Sequence, residues 1–336
     1  MSRFSKTTPW MLLILLLLVL PFAPNAATQQ VSAPSQQTVY EEAFQPGSSL
    51  PKWERGYLVS WRIDTSSSDT AENLFLYDRD GSAAGKARIW LEGATFLRIE
   101  DAAAWKGGRV ALVGWAVTSA GTHSAFLADV SVAQNSATIV QTSPFEGRAV
   151  GFGPDGTIWV LGLEVGPGRG KEPAADHYMV QSFGADDVRK AEYLLQSHFG
   201  CELAAQINGI PRVIASDDRI ALFAPFCHTW VELSPAGELL NQWTWLPLSP
   251  VRSGNETVAG ITSVALTSKN ELYGWSRRSR ALFRFDRKAA VWVPLETGAA
   301  QSAGAPFTAL LGADGDELVS YTVAKKIGWF RPDKTQ

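Results

Sequence analysis

The chain carries four histidines and two cysteines, and these are its most reactive side chains. His198-Phe-Gly-Cys201 and Cys227-His228 supply the donors of a Cys₂His₂ zinc site. Their spacing is not a standard one, and a Cys and a His adjacent on a strand point to opposite faces. In an exported chain an even pair favours a disulfide, Cys201–Cys227, with free thiols or a metal as the alternatives. No cofactor and no metal are therefore expected. GPGRGK (166–171) has the flavour of a phosphate loop but lacks its glycine spacing and the Ser/Thr after the Lys. It joins two predicted strands, so no helix N-terminus is there to hold a phosphate, and it reads as a loop. There is no Gly-x-Ser-x-Gly elbow and no His-Glu-x-x-His, and sequence alone assembles no Ser-His-acid triad.

The elements that position these residues are set by a repeat. Phe75, Phe126, Tyr178, Trp230, Phe283 and Trp329 each lie in a short β-type run that leads into a turn. Their spacings are 51, 52, 52, 53 and 46 residues. A second series, Trp61, Trp115, Trp159, Phe223, Trp275 and Tyr321, precedes the first copy by copy. Turn signals such as Asp155-Gly156, Lys269-Asn270 and Asp314-Gly315 come before it, where tight hairpins need positive φ. Six strand-rich copies of this length predict an all-β chain, a six-bladed β-propeller of four-stranded antiparallel blades. Strands A to D run outward from the axis, and the two aromatic series fall on B and C. The aromatics are expected to fill the wedges between blades. The sixth copy lacks a strand D, and Thr38 to Phe44 is expected to supply it by pairing with 327–331.

The segment GFGPDGTIWVLG (151–162) resembles the repeat of six-bladed propellers of the NHL and gluconolactonase type, in which a Pro-Asp-Gly turn leads into a Leu/Ile-Trp-Val strand. The resemblance implies a fold and does not carry a function. Gluconolactonase-like members hold a metal with Glu, Asn and Asp near the axis. The predicted inner strands here, 147–152, 211–216, 261–266 and 307–312, carry no acid, and only Glu100 and Asp101 approach such a position. The metal site therefore has no match.

Up-and-down connectivity puts A–B and C–D turns on one face of the ring and B–C and D–A loops on the other. The B–C loops vary in length while the A–B turns are tight, and variable loops on a rigid scaffold are where binding sits. His123, His177, His198 and His228 all belong to the B–C/D–A face, with Asp176, Arg277, Arg278, Lys325 and Lys326. These are the candidate ligand-binding residues; solvated turn charge is the plainer reading of the same pattern.

Composition limits the classes of partner. Arg3 and Lys6 followed by the apolar run Trp10 to Ala23 read as a signal peptide or uncleaved anchor over residues 1–27, so the chain is expected in the periplasm or secreted. Residues 28–37 read as a linker and 38–336 as one propeller domain. Without Arg3 and Lys6, 28 basic side chains face 33 acidic ones, a net charge of −5. Such a chain is a poor nucleic-acid binder, and membrane contact is expected only through the N-terminal segment. The expected function is a monomeric binding module for a protein, peptide or glycan. The alternative is a hydrolase- or lyase-like enzyme with His and acid groups at the channel mouth.

Overall fold

The computed structural model describes residues 36–40, 47–165, 176–184, 186, 188–199, 210–245, 260–295, 307–322 and 326–332. Residues 1–35, which contain the expected signal segment and most of the expected linker, lie outside them, and no described helix is long and apolar enough to cross a membrane.

Strand β1 (Gln36–Val39) opens the described chain. Blade 1 follows as β2 (Lys52–Glu54), β3 (Tyr57–Trp61) and, after a short β4 (Asp64–Ser66), β5 (Leu74–Tyr77) and β6 (Ala83–Ala87). Blade 2 is β7 (Ala94–Trp105), β8 (Arg109–Thr118), β9 (His123–Ser131) and β10 (Ser136–Gln141). Blade 3 is β11 (Phe145–Phe152), β12 (Ile158–Glu164), β13 (Tyr178–Phe183) and β14 (Arg189–Leu195). Blade 4 is β15 (Arg212–Ala215), β16 (Ile220–Ala224), β17 (Thr229–Leu233) and β18 (Leu239–Thr244). Blade 5 is β19 (Ser263–Leu266), β20 (Leu272–Ser276), β21 (Ala281–Asp286) and β22 (Val291–Leu295). Blade 6 is β23 (Phe307–Asp314), β24 (Glu317–Thr322), β25 (Lys326–Phe330) and then β1. The chain is a six-bladed all-β propeller, and each blade is antiparallel.

Two details differ from the sequence reading. The closing strand is Gln36–Val39, paired Gln36 to Trp329 through Val39 to Lys326, so it begins inside the expected linker; residues 41–44 of the expected strand lie outside the described residues. The reason is burial. Outer strands face solvent and take polar residues, as the mostly exposed β10 and β18 do, so a Gln-Gln-Thr run suffices. Tyr40 ends the strand because it leaves the sheet. Its ring is buried edge-on to Tyr77, and its hydroxyl donates to the carbonyls of Asp78 (3.0 Å) and Arg79 (2.9 Å) on blade 1. Arg79 crosses the same seam to Asp314 (2.7 Å) and Glu317 (2.8 Å), which locks the last blade to the first. The second difference is in blade 2, which has five strands. The B–C connection of blade 1 sends β4 to pair with the inner edge of β7, Thr65 opposite Leu97.

The aromatic series lie on strands B and C in all six blades. Trp61, Trp115, Trp159, Phe223 and Trp275 are buried on B; Phe75, Phe126, Trp230, Phe283 and Trp329 are buried on C. The two tyrosines are the exceptions: Tyr321 on B is half-buried and Tyr178 on C is 42% exposed. Packing between blades is what these rings do: Phe223 stacks on Trp245, which meets Phe285 and Trp292 of blade 5. Full burial of such side chains stabilises the ring by about 2–3 kcal/mol each before entropy is counted.

Candidate functional site

An ionic cluster joins the inner strands β2, β7 and β15. Lys52, the first residue of β2, is 2% exposed. Its Nζ lies 2.9 Å from Glu54 Oε1 and 3.1 Å from Asp101 Oδ2, and it donates to the Val150 carbonyl at 2.7 Å. Three acceptors use the three donors of an ammonium. Asp101 reaches this point through a register shift in the β7–β8 pair between Ile99 and Asp101, which turns the local backbone. Its Oδ2 also accepts the Val150 N–H at 2.9 Å. Glu54 Oε2 accepts the Ala104 N–H at 3.2 Å. Burial raises the Glu54 carboxyl above its ordinary value, and the charge of Lys52 opposes that.

Arg212 enters from the opposite side. It opens β15, is 3% exposed, and places Nη1 3.8 Å from Asp101 Oδ1. That distance is an ion pair but not a hydrogen bond. Among the described residues neither Nη1 nor Nη2 of Arg212 has a hydrogen-bond partner, and both atoms are buried. Side chains of blades 1, 2 and 4 and the backbone of blade 3 thus converge at the axis.

Toward the A–B face this cluster floors a cavity of about 590 Å³. Trp53, Phe152, Ile214, Val264, Leu266 and Leu311 give it apolar wall. Arg55, Asp217, Lys269, Asn270 and Asp314 stand at its rim. Much of the rim charge is engaged. Arg219 bonds Asp218 (2.6 Å) and the buried Glu232 (2.8 Å); Lys269 pairs with Asp316; Arg55 lies 4.0 Å over the Trp105 ring. The Arg219 and Ser216 donors hold the Asp218 carboxyl well below the usual carboxylate range.

At the opposite end of the channel, Glu100 Oε1 accepts Arg98 Nε (2.9 Å), Trp115 Nε1 (3.0 Å) and Arg148 Nη1 (3.3 Å). Arg148 Nη2 also pairs with Glu146 at 2.8 Å. His123, the first residue of β9, packs against Trp115 with ring centroids 4.9 Å apart and the planes tilted by 34°.

The described residues of the expected site lie toward the B–C/D–A end, as the connectivity requires. His177 is buried just before β13. His198 is exposed in a 3-10 turn, Gln196–Phe199, and His228 is half-buried just before β17 with φ 50°. Burial holds the His228 imidazole below its ordinary value. Asp176 accepts the Ser197 N–H (3.0 Å) and Oγ–H (3.1 Å), and the Gln196 N–H bonds the His177 carbonyl at 2.9 Å. Asp176, His177 and the turn bearing His198 are therefore joined through backbone and Ser197, a local capping arrangement. Arg277 and Arg278 are exposed on the β20–β21 turn, and Lys326 opens β25 half-buried. Cys227 is buried after Pro225. Cys201 and Lys325, like the loop 166–171, lie outside the described residues. Sequence reasoning passed over Lys52, Glu54 and Arg212. The available signal was a charge inside an inner strand: Arg212 sits in PRVIAS (211–216), and Lys52 and Glu54 flank Trp53.

No family model matches the chain, and no curated protein matches it. Among solved structures it is similar to a streptogramin B lyase (12% identity over 89% of this chain and 88% of that one, TM-score 0.48). It is likewise similar to virginiamycin B lyase from Staphylococcus aureus (11%, 89% and 89%, TM-score 0.46). A third is a luciferin-regenerating enzyme (12%, 88% and 95%, TM-score 0.49). The fold assignment above rests on the six sheets of this chain.

Proposed function

We propose that this chain is an exported binding propeller that holds a small ligand at the centre of its ring. The observation that supports this best is the A–B cavity, walled by apolar side chains and floored by Arg212. Cavities of a few hundred cubic ångströms with few polar groups suit small ligands. Binding is favoured over turnover because the axial acids are already engaged. Asp101 accepts from Lys52 and Val150, and Glu54 from Lys52 and Ala104. Each of these carboxylates is fixed by Lys52 and a backbone N–H, an arrangement that suits a structural ion pair. The Arg3/Lys6 start and apolar run of 10–23 support export. An exported state in turn supports a Cys201–Cys227 bridge.

The B–C/D–A face supports a second use, as a docking surface for a protein, peptide or glycan. The packed Trp115–His123 pair beside Glu100 and Arg148 is the feature that favours it.

The test is a thermal-shift screen of the secreted protein against a small-molecule library, followed by mass spectrometry of each hit. The expected result is stabilisation by ligands that are recovered unchanged and lost from a cavity-filling Ala215→Phe variant. Chemical conversion of a hit would replace this reading with the enzymatic one.

A further inference from the structure

Nearly every charge around the A–B cavity is paired within the protein. Lys52 holds Glu54, Arg219 holds Asp218, Arg79 holds Asp314, and Lys269 holds Asp316. Arg212, deeper down, faces Asp101. Among the described residues that line the cavity, two charged side chains remain without an ion pair: Arg55 and Asp217. Arg55 opens the two-residue turn between β2 and β3, with φ 49° followed by Gly56 at 87°, so the hairpin fixes where its stem leaves the sheet. Its guanidinium lies 4.0 Å over the Trp105 ring of blade 2, and Nη2 donates to the Phe152 carbonyl of blade 3 at 3.3 Å. Nε and Nη1 have no partner among the described residues, and unlike the terminal nitrogens of Arg212 they are not shut off from solvent. Asp217 is exposed at the tip of the β15–β16 hairpin, which the Ser216 N–H closes on the Arg219 carbonyl at 3.0 Å. It makes no hydrogen bond among the described residues, and its field reaches Arg55.

Blades 1 and 4 stand opposite each other in a six-bladed ring, so an uncommitted cation and an uncommitted anion face one another across the cavity mouth. The stack on Trp105 holds the guanidinium in one orientation and leaves donors to spare, which suits it to a carboxylate. An exposed carboxylate on the far side suits an ammonium. Resting on the reading above that the cavity is the ligand site, we propose that it takes an apolar zwitterion, the chemistry shared by free aliphatic amino acids and short apolar peptides. The carboxylate pairs with Arg55, the ammonium with Asp217, and the side chain lies along Ile214, Leu266 and Leu311. A simple anion on Arg55 would sit in the field of Asp217 with nothing to answer it, and a simple cation on Asp217 would face Arg55 in the same way. A zwitterion answers both. The apolar wall adds the second selection, since it favours an aliphatic body and offers a hydrated ion nothing.

The experiment is calorimetric titration of the purified protein at fixed ionic strength. The probes are leucine, leucyl-leucine, glycine, and the N-acetyl and C-amide forms of leucine and of leucyl-leucine. The tighter of leucine and leucyl-leucine is expected to bind with a dissociation constant of about 1 mM, in the range of a small fragment in a formed pocket, and it identifies the source as amino acid or peptide. Capping either end should weaken binding about fivefold, the scale of a partly exposed ion pair. Glycine should bind more weakly than leucine, because it leaves the apolar wall bare. Arg55→Asn should erase the difference between acid and amide, and Asp217→Asn the difference between free and acetylated amine. Asn accepts the left-handed φ of residue 55, and residue 217 is exposed, so both variants keep the fold. Capped forms that bind as tightly as the free ones would overturn the zwitterion while leaving the cavity a ligand site. N-acetyl-leucine binding more tightly than leucine would overturn it in favour of a simple anion, and glycine matching leucine would overturn the apolar body. Absence of binding across the series would overturn the inference. Library hits seated in the cavity would then leave the ligand-site reading standing, and their absence would remove that reading too.

Discussion

Replacing Asp101 by Asn tests whether the axial cluster holds the ring together. The side chain keeps its shape and an oxygen for the Val150 N–H, and it loses its charge. At an effective dielectric of about 20, a unit charge 3.1 Å from Lys52 is worth about 5 kcal/mol, and one 3.8 Å from Arg212 about 4 kcal/mol. Removing the carboxylate from water costs several kcal/mol and offsets much of this. Lys52 also keeps Glu54 at 2.9 Å and the Val150 carbonyl at 2.7 Å, whereas Arg212 keeps no other carboxylate partner among the described residues. The expected loss is therefore near the low end for a broken buried pair, about 3 kcal/mol. Urea denaturation should show it as a lower midpoint with an unchanged slope. Lys52→Met alone should destabilise as well, and the double variant should deviate from additivity by at least about 1 kcal/mol. A loss below about 0.5 kcal/mol for Asp101→Asn, or strict additivity, would refute the claim that these charges act as a unit.

Three further outcomes follow from particular contacts. Gly114→Ala should destabilise the fold by about 2–3 kcal/mol, because a Cβ there would sit 2.0 Å from the Arg98 carbonyl oxygen and 3.0 Å from the Phe126 ring; a urea midpoint checks it. His228 has its imidazole held below the ordinary value, so the folded chain binds fewer protons than the unfolded one in that range. The stability this gives is present above the ordinary histidine value and is lost as pH falls through it toward the folded value. His228→Asn, which tolerates φ 50°, should flatten that part of a stability–pH curve measured from about pH 7.5 to 5. The proposed Cys201–Cys227 bridge closes about 25 residues, so its reduction should cost about 3 kcal/mol. Thiol titration of the native protein checks it, and two titrating thiols would remove the bridge.

Period and aromatics made the fold legible. Trp and Phe side chains recur because every wedge between blades has the same shape, and a repeated physical demand leaves a repeated residue type. The closing strand was placed too late for a related reason. An outermost strand packs on one side only, so Gln36 to Val39 carry no apolar pattern, while the aromatic Tyr40 and Phe44 drew the sequence reading further along the chain. β4 left no signal at all, because three residues paired to an inner edge need no particular side chain. The candidate site divides similarly. Connectivity alone sent the histidines, Arg277 and Arg278 to one face. Lys52, Glu54 and Arg212 stood in the sequence, but their meeting at the axis depends on three blades closing around one point, and no local pattern records that.

The central claim is that the A–B end of the channel is a ligand site. A crystal structure of the purified protein grown with a hit from the thermal-shift screen tests it most directly. The expected result is ligand density in the A–B cavity, against Ile214, Leu266 and Leu311, with the Lys52–Asp101 pair intact. An empty A–B cavity at saturating ligand, or the ligand seated instead beside Trp115 and His123 at the other end, would contradict it.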